Sequence, residues 1–210
     1  MKKNNLDQLI ARGYDFDIER SFKNGWEMFK AKPLYSMAYA TLVLSIQFLF
    51  VLYLTDIAFV FSVFLAGPFY VGFFLVANKI SRNEEIVYPD FLTGFQYYIP
   101  VMMVWVVGQI LVAFGLVFLV VPGIYLMVGY LFALLMAIFG GVDFWNALEY
   151  SRKLIHARWW KFLLLVLSLI VLNILGILLF GLGLIVTIPL TYYIIYCLFE
   201  EITQEALLEE

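Results

Sequence analysis

Four cationic side chains, Arg152, Lys153, Arg158 and Lys161, fall in one short stretch and are interleaved with Trp159 and Trp160. Guanidinium and ammonium groups attract the phosphates of anionic lipids, and indole rings favour the headgroup level of a bilayer. These six residues are therefore a candidate anionic-lipid contact. The same residues also suit a plainer task, fixing the side of a membrane on which their segment stays. Other chemistry is absent from the pattern. The single histidine, His156, lies beside Trp159 and reads as a polar residue at headgroup level. The single cysteine, Cys197, lies far from it in an apolar run and reads as a small buried hydrophobe. Together they make no metal site or thiol–imidazole pair, and one cysteine allows no internal disulfide. Phosphate-binding glycine loops, HExxH, CxxC and GxSxG patterns are missing. No catalytic, metal-ligating or cofactor-binding residue is assigned, no cofactor is implied, and no enzyme is expected.

Neutral polar residues inside apolar runs form the second set: Gln47, Asn78, Gln109, Asn173, Ser45, Ser62, Ser168, Thr187 and Thr191. Gln109 and Asn173 lie nearest to mid-helix. They are candidate intramembrane contacts, either bonding a neighbouring helix or lining a pore. No Lys, Arg, Asp or Glu lies deep in an apolar run, although an ion-coupled carrier ordinarily needs one.

The elements that carry these residues follow from composition. Of 210 residues, 64% are hydrophobic and 14% charged, and the mean hydropathy is +0.94. A soluble domain is about half apolar and a quarter charged. So much apolar surface calls for lipid, and in lipid a continuous apolar run must be a helix that satisfies its own backbone. The net charge of −3 gives no argument for nucleic acid, no basic stripe joins a nucleic-acid motif, and no nucleic-acid partner is expected. Six spans are expected at about 34–54, 57–78, 98–121, 123–142, 160–180 and 183–199. The N-terminal region stays polar to about Pro33, so the first span is expected to be retained rather than cleaved as a signal peptide.

Thr55-Asp56, Pro122-Gly123 and Gly181-Leu182-Gly183 read as tight turns, whereas 79–97 and 143–159 are long and charged. The expected fold is all-α: a polytopic membrane protein of three helical hairpins. All 13 basic residues fall outside the tight turns. By the positive-inside rule this places them, with both termini, in the cytoplasm. Trp26, Trp145, Trp159 and Trp160 flank spans on the same side, and Trp105 is the exception. The expected domains are a cytoplasmic segment at 1–32, a six-helix transmembrane domain at 33–199 and an acidic cytoplasmic tail at 200–210.

A segment opening with Asp precedes each hairpin, at Asp17, Asp90 and Asp143. Ile18, Phe22, Trp26 and Phe29 recur at helical spacing, as do Phe144, Leu148 and Ile155. Such amphipathic helices can lie in the cytoplasmic headgroup region or form a short soluble bundle, and the recurrence allows a triplicated unit. Pro68 and Pro189 are expected to kink their helices, with Gly67 as a small packing residue and Pro122 and Gly123 as a turn. The kinks serve packing or open a cavity between hairpins. The tail, with Glu200, Glu201, Glu205, Glu209 and Glu210, packs on basic helices, meets a partner or stays solvated.

Several of these pieces form a recognisable set: Ser21-Phe22, Gly25-Trp26 and Phe29-Lys30; Gly67-Pro68; Val121-Pro122-Gly123-Ile124-Tyr125-Leu126; Phe144 to Leu154 with its Ala147-Leu148 and Ser151-Arg152-Lys153-Leu154; Trp159-Trp160-Lys161-Phe162; and Thr187-Ile188-Pro189-Leu190. Over about residues 16–202 the chain resembles the six-helix membrane domain found with some bacterial glycerophosphodiester phosphodiesterases. It is also similar to uncharacterised stand-alone bacterial membrane proteins of the same design. The resemblance implies the bacterial inner membrane and a link to lipids or the envelope. It brings no enzyme, because catalysis in the phosphodiesterases belongs to a separate soluble domain. The function expected is a non-enzymatic accessory or scaffold module in contact with membrane lipids, another membrane protein or a second copy. The alternative is a small transporter or channel with a cavity between the hairpins.

Overall fold

A computed structural model describes the backbone of residues 3–208 and the side chains of residues 7–204. Lys2, Glu209 and Glu210 lie outside the described residues, as do the side chains of Lys3 and Glu205. The described chain is all-α and contains no strand. Its helices are α1 (Lys3–Arg12), α2 (Ile18–Ala31), α3 (Pro33–Leu52), α4 (Thr55–Ser81), α5 (Tyr88–Phe118), α6 (Val120–Phe139), α7 (Phe144–His156), α8 (Trp159–Leu178) and α9 (Leu184–Leu208). Six of them, α3, α4, α5, α6, α8 and α9, are long and apolar enough to cross a membrane. This is the fold of an all-α, multi-pass membrane protein.

The chain forms two compact units. One combines residues up to Ile18, Ile99–Leu167 and residues from Leu198 onward; the other combines Glu19–Tyr98 with Ser168–Cys197. α8 and α9 contribute to both.

In the second unit, α4 begins with a 3-10 turn, Thr55–Ile57, and contains a π-helical turn, Phe61–Leu65, before its regular part, Ala66–Ser81. The wide turn lies just ahead of Pro68, whose ring would crowd the carbonyl four residues back and which offers no N–H. The irregularity expected at Gly67-Pro68 is thus a π-turn, with both residues buried after it. α5 opens as a 3-10 segment, Tyr88–Tyr97, which lies against α4 backbone to backbone. A Cβ on Gly72 would stand 1.9 Å from Phe91 O, and one on Gly94 would stand 2.2 Å from Pro68 O. Lys79 Nζ donates to Asp90 Oδ1 at 2.8 Å, and Asp90 Oδ2 accepts from Val87 N at 2.9 Å, closing the same seam.

α2 packs on α9 through its small residues. A Cβ on Gly25 would lie 2.9 Å from Ile194 Cα. The buried face is therefore Ser21, Gly25, Met28 and Phe29. Of the expected stripe of Ile18, Phe22, Trp26 and Phe29, Phe29 is buried, whereas Trp26 remains 44% exposed. Cys197 Sγ sits 3.9 Å from Met28 Sδ in the same packing. Pro189 lies inside α9, which runs unbroken through it. α9 also continues through the residues expected to form a separate tail, with Ile202 and Thr203 buried.

In the first unit, the α5–α6 turn is at Leu119, whose backbone is extended. Pro122 and Gly123 sit in the first turn of α6 instead of forming the turn themselves. A missing N–H costs nothing in a first helical turn, and Gly123 is needed where α6 meets α5, since a Cβ on it would stand 2.5 Å from Leu116 N. α6 is interrupted at Tyr130–Phe132, between Val120–Gly129 and Ala133–Phe139.

α7 runs antiparallel along α6, burying Ala147, Leu148, Tyr150, Ser151, Leu154 and Ile155. Ser151 mends the interruption: its Oγ donates to Gly129 O at 2.7 Å and accepts from Phe132 N at 3.1 Å. Broken backbone at membrane depth persists where protein satisfies it in this way. This pairing alters the expected layout. Pro122-Gly123 was to lie at the far end of a hairpin from 143–159, yet Tyr125 reaches His156 and Trp159. The two helices run close here: a Cβ on Gly129 would meet Arg152 at ordinary van der Waals distance.

Candidate functional site

The first unit contains an open groove of about 600 Å³ where α7 turns into α8. Asp143 starts α7 as its N-cap, accepting from Trp145 N and Asn146 N at 3.1 Å each. Those bonds, chiefly from Asn146, hold the Asp143 carboxyl below its ordinary range. α7 ends at His156, Ala157 and Arg158 make the corner, and Trp159 begins α8. Val121 and Tyr125 of α6 form the facing wall.

Tyr125 links the two sides. Its ring stacks on Trp159, with centroids 6.1 Å apart, and Trp159 meets Trp160 edge to face at 4.8 Å. Arg152 Nη1 donates to the Tyr125 hydroxyl at 3.3 Å. The same hydroxyl lies 3.0 Å from His156 Nδ1, within hydrogen-bond distance. Trp159 Nε1 is buried and has no hydrogen-bond partner among the described residues.

Two carboxylates serve the four cations. Glu149 takes a forked pair from Arg152, at 3.0 Å to Nε and 2.8 Å to Nη2, and Lys153 Nζ lies 3.4 Å away. The Arg152 bonds hold the Glu149 carboxyl below its ordinary range, and Glu149 in turn raises the guanidinium's. Asp15 serves the other pair: Lys161 Nζ donates to it at 2.6 Å and Arg158 Nε lies 4.0 Å away. The hydrogen bond from Lys161 is the main cause of the lowered Asp15 carboxyl pKa. Four cations against two anions leave the corner with a positive excess.

The structure thus sorts the expected site residues. Arg158, Trp159, Trp160 and Lys161 line the groove. Arg152 reaches it only through Tyr125, and Lys153 is held by Glu149. Asn173 does not belong to it. Its Nδ2 donates to Leu169 O at 2.9 Å and to Thr191 Oγ1 at 2.8 Å, and its Oδ1 accepts from Thr187 at 3.0 Å. That is a clasp inside the α8–α9 hairpin. Gln109 is exposed on α5. Among the described residues, no three His, Cys, Asp or Glu side chains come together.

Tyr125, Val121 and Asp15 are the residues that sequence reasoning missed. Tyr125 did carry a signal, because it closes the Pro122-Gly123-Ile124-Tyr125 piece. Asp15 carried none, since its partners stand about 145 residues away.

Compared with known protein families, curated proteins and solved structures, the chain matches none. Fold and site define its class: an all-α, multi-pass membrane protein with a basic, aromatic-walled groove.

Proposed function

We propose that this chain is a non-enzymatic accessory or scaffold module of the bacterial inner membrane, with its α7–α8 corner on the cytoplasmic side. The corner holds anionic lipid, and the protein serves another membrane protein or a second copy of itself. The design resembles the six-helix membrane domain found with some bacterial glycerophosphodiester phosphodiesterases. One observation carries the lipid reading. The groove joins cationic groups, Arg158 and Lys161, to exposed apolar side chains, Val121 and Trp160, which are 77% and 74% exposed. An anionic amphiphile needs this pairing of charge and apolar wall. A transport path through Asn173 gains no support, because its amide is spent within its own hairpin.

The test is lipid retention in nanodiscs of mixed phosphatidylcholine and phosphatidylglycerol, read by native mass spectrometry. The wild type is expected to keep phosphatidylglycerol selectively. The fourfold variant R152Q/K153Q/R158Q/K161Q is expected to lose that selectivity. Equal retention by both proteins overturns the lipid reading.

A further inference from the structure

The segment between α1 and α2 crosses the same corner. Gly13, at φ +75°, turns the chain after α1. Tyr14 then donates its hydroxyl to Leu154 O at 2.5 Å, and its own carbonyl accepts from Arg158 Nε at 2.9 Å. Phe16 is 4% exposed and packs on Phe162 with ring centroids 4.7 Å apart. Two anchored aromatics therefore flank one exposed acid, Asp15, whose side chain is 65% exposed. That carboxylate bridges Arg158 and Lys161, the two cations of the groove.

Resting on the lipid reading above, we infer that Asp15 is an internal stand-in for a phospholipid phosphodiester, and that an anionic lipid entering the groove takes Arg158 and Lys161 over from it. Four features support the exchange. The two Nη groups of Arg158 have no partner among the described residues, so a phosphate finds a free fork beside an occupied Nε. Trp159 Nε1 is a further N–H without a partner among the described residues. The corner is the N-terminal end of α8, where a helix favours an anion. An exposed ion pair such as Asp15–Lys161 holds weakly against a competing anion. Because Tyr14 and Phe16 anchor the strap independently, the carboxylate can swing out while the strap stays docked. The groove's apolar wall, Val121 and Trp160, then carries the start of an acyl chain, which is why a lipid rather than a free phosphate is the occupant.

The experiment compares the full-length protein with D15N and D17N in the same nanodiscs. D15N removes the internal competitor and is expected to retain phosphatidylglycerol about two- to fivefold more strongly than wild type. D17N removes the same charge two residues away and is expected to leave retention unchanged. Sodium phosphate at millimolar concentration is expected not to displace the lipid. Equal retention by D15N and wild type, while the fourfold glutamine variant still loses lipid, overturns the stand-in role and leaves the lipid reading intact. An equal gain in D17N also overturns it, since the effect is then general charge. Displacement by free phosphate overturns the assignment of the occupant as a lipid. If the fourfold variant also matches wild type, the underlying reading has failed instead.

Discussion

The antiparallel pairing of α6 and α7 makes a topological prediction that differs from one based on charge alone. From Phe144 to His156, α7 rises about 18 Å, while the hydrocarbon core is about 30 Å thick. Suppose α6 crossed the membrane with its Leu119 end on the far side, and α7 began on the near side. His156 would then be carried past the middle of the bilayer, with Arg158 and Lys161 beside it. A basic side chain at that depth costs about 2.5–3.5 kcal/mol on insertion scales, so the two would cost about 5 kcal/mol or more. One shared and exposed carboxylate cannot offset that. The corner must lie at a membrane face, and Val121, which lines the same groove, must lie there with it. Single cysteines at Val121 and Ala157, each in a C197A background, can be labelled with a membrane-impermeant maleimide in right-side-out and inverted vesicles. Both positions are exposed. Both are expected to react from the same side. Reaction of V121C and A157C from opposite sides would refute the α6–α7 geometry and with it the groove.

Three further outcomes follow from packing, each read as thermal unfolding in detergent. Asn173→Leu removes two interhelical bonds at about 0.6 kcal/mol each, so a loss of about 1 kcal/mol is expected, shared non-additively with Thr191→Val; additive losses would remove the clasp. Gly72→Ala forces a Cβ onto Phe91 O and is expected to cost about 3 kcal/mol or more, whereas Gly141→Ala, at φ +60° with open space around it, is expected to cost about 1 kcal/mol. Equal losses would mean that the α4–α5 seam yields. Ser151→Ala strands the Phe132 N–H and is expected to cost about 1–3 kcal/mol; a neutral result would show that the α6 break is satisfied in some other way.

What could be read in the sequence follows from the range of the forces involved. Lipid acts on every residue of a span, so six apolar runs survive as six helices, with ends displaced by a few residues. Charge is legible only by segment. Arg158 and Lys161 announce a basic corner, but the partner that halves its charge, Asp15, lies in a stretch with no pattern of its own. Periodicity is legible only to within a neighbouring stripe. α2 could bury Phe22 and Trp26 or Ser21 and Gly25, and the large side chains suggested the first. The glycine decided the second, because backbone contact with Ile194 is closer than any aromatic allows. Pro122 has the same ambiguity, since a residue without an N–H suits a turn and a first helical turn alike.

The two most specific sequence pieces, Pro122-Gly123-Ile124-Tyr125 and Ala147-Leu148 with Ser151-Arg152-Lys153-Leu154, lie in separate segments, and nothing in their composition links them. Antiparallel pairing makes them one device. Gly123 brings α6 against α5, Ser151 supplies the donor and acceptor that the α6 break lacks, and Arg152 reaches Tyr125 at the mouth of the groove. Each substitution that loosens the pairing should therefore also move Tyr125 away from His156 and Trp159. Stability and lipid retention are expected to fall together in Ser151→Ala and to separate in Asn173→Leu, whose clasp lies within the α8–α9 hairpin. A Ser151→Ala protein that loses stability but keeps full selectivity for phosphatidylglycerol would show that the groove is held by the α7–α8 corner alone.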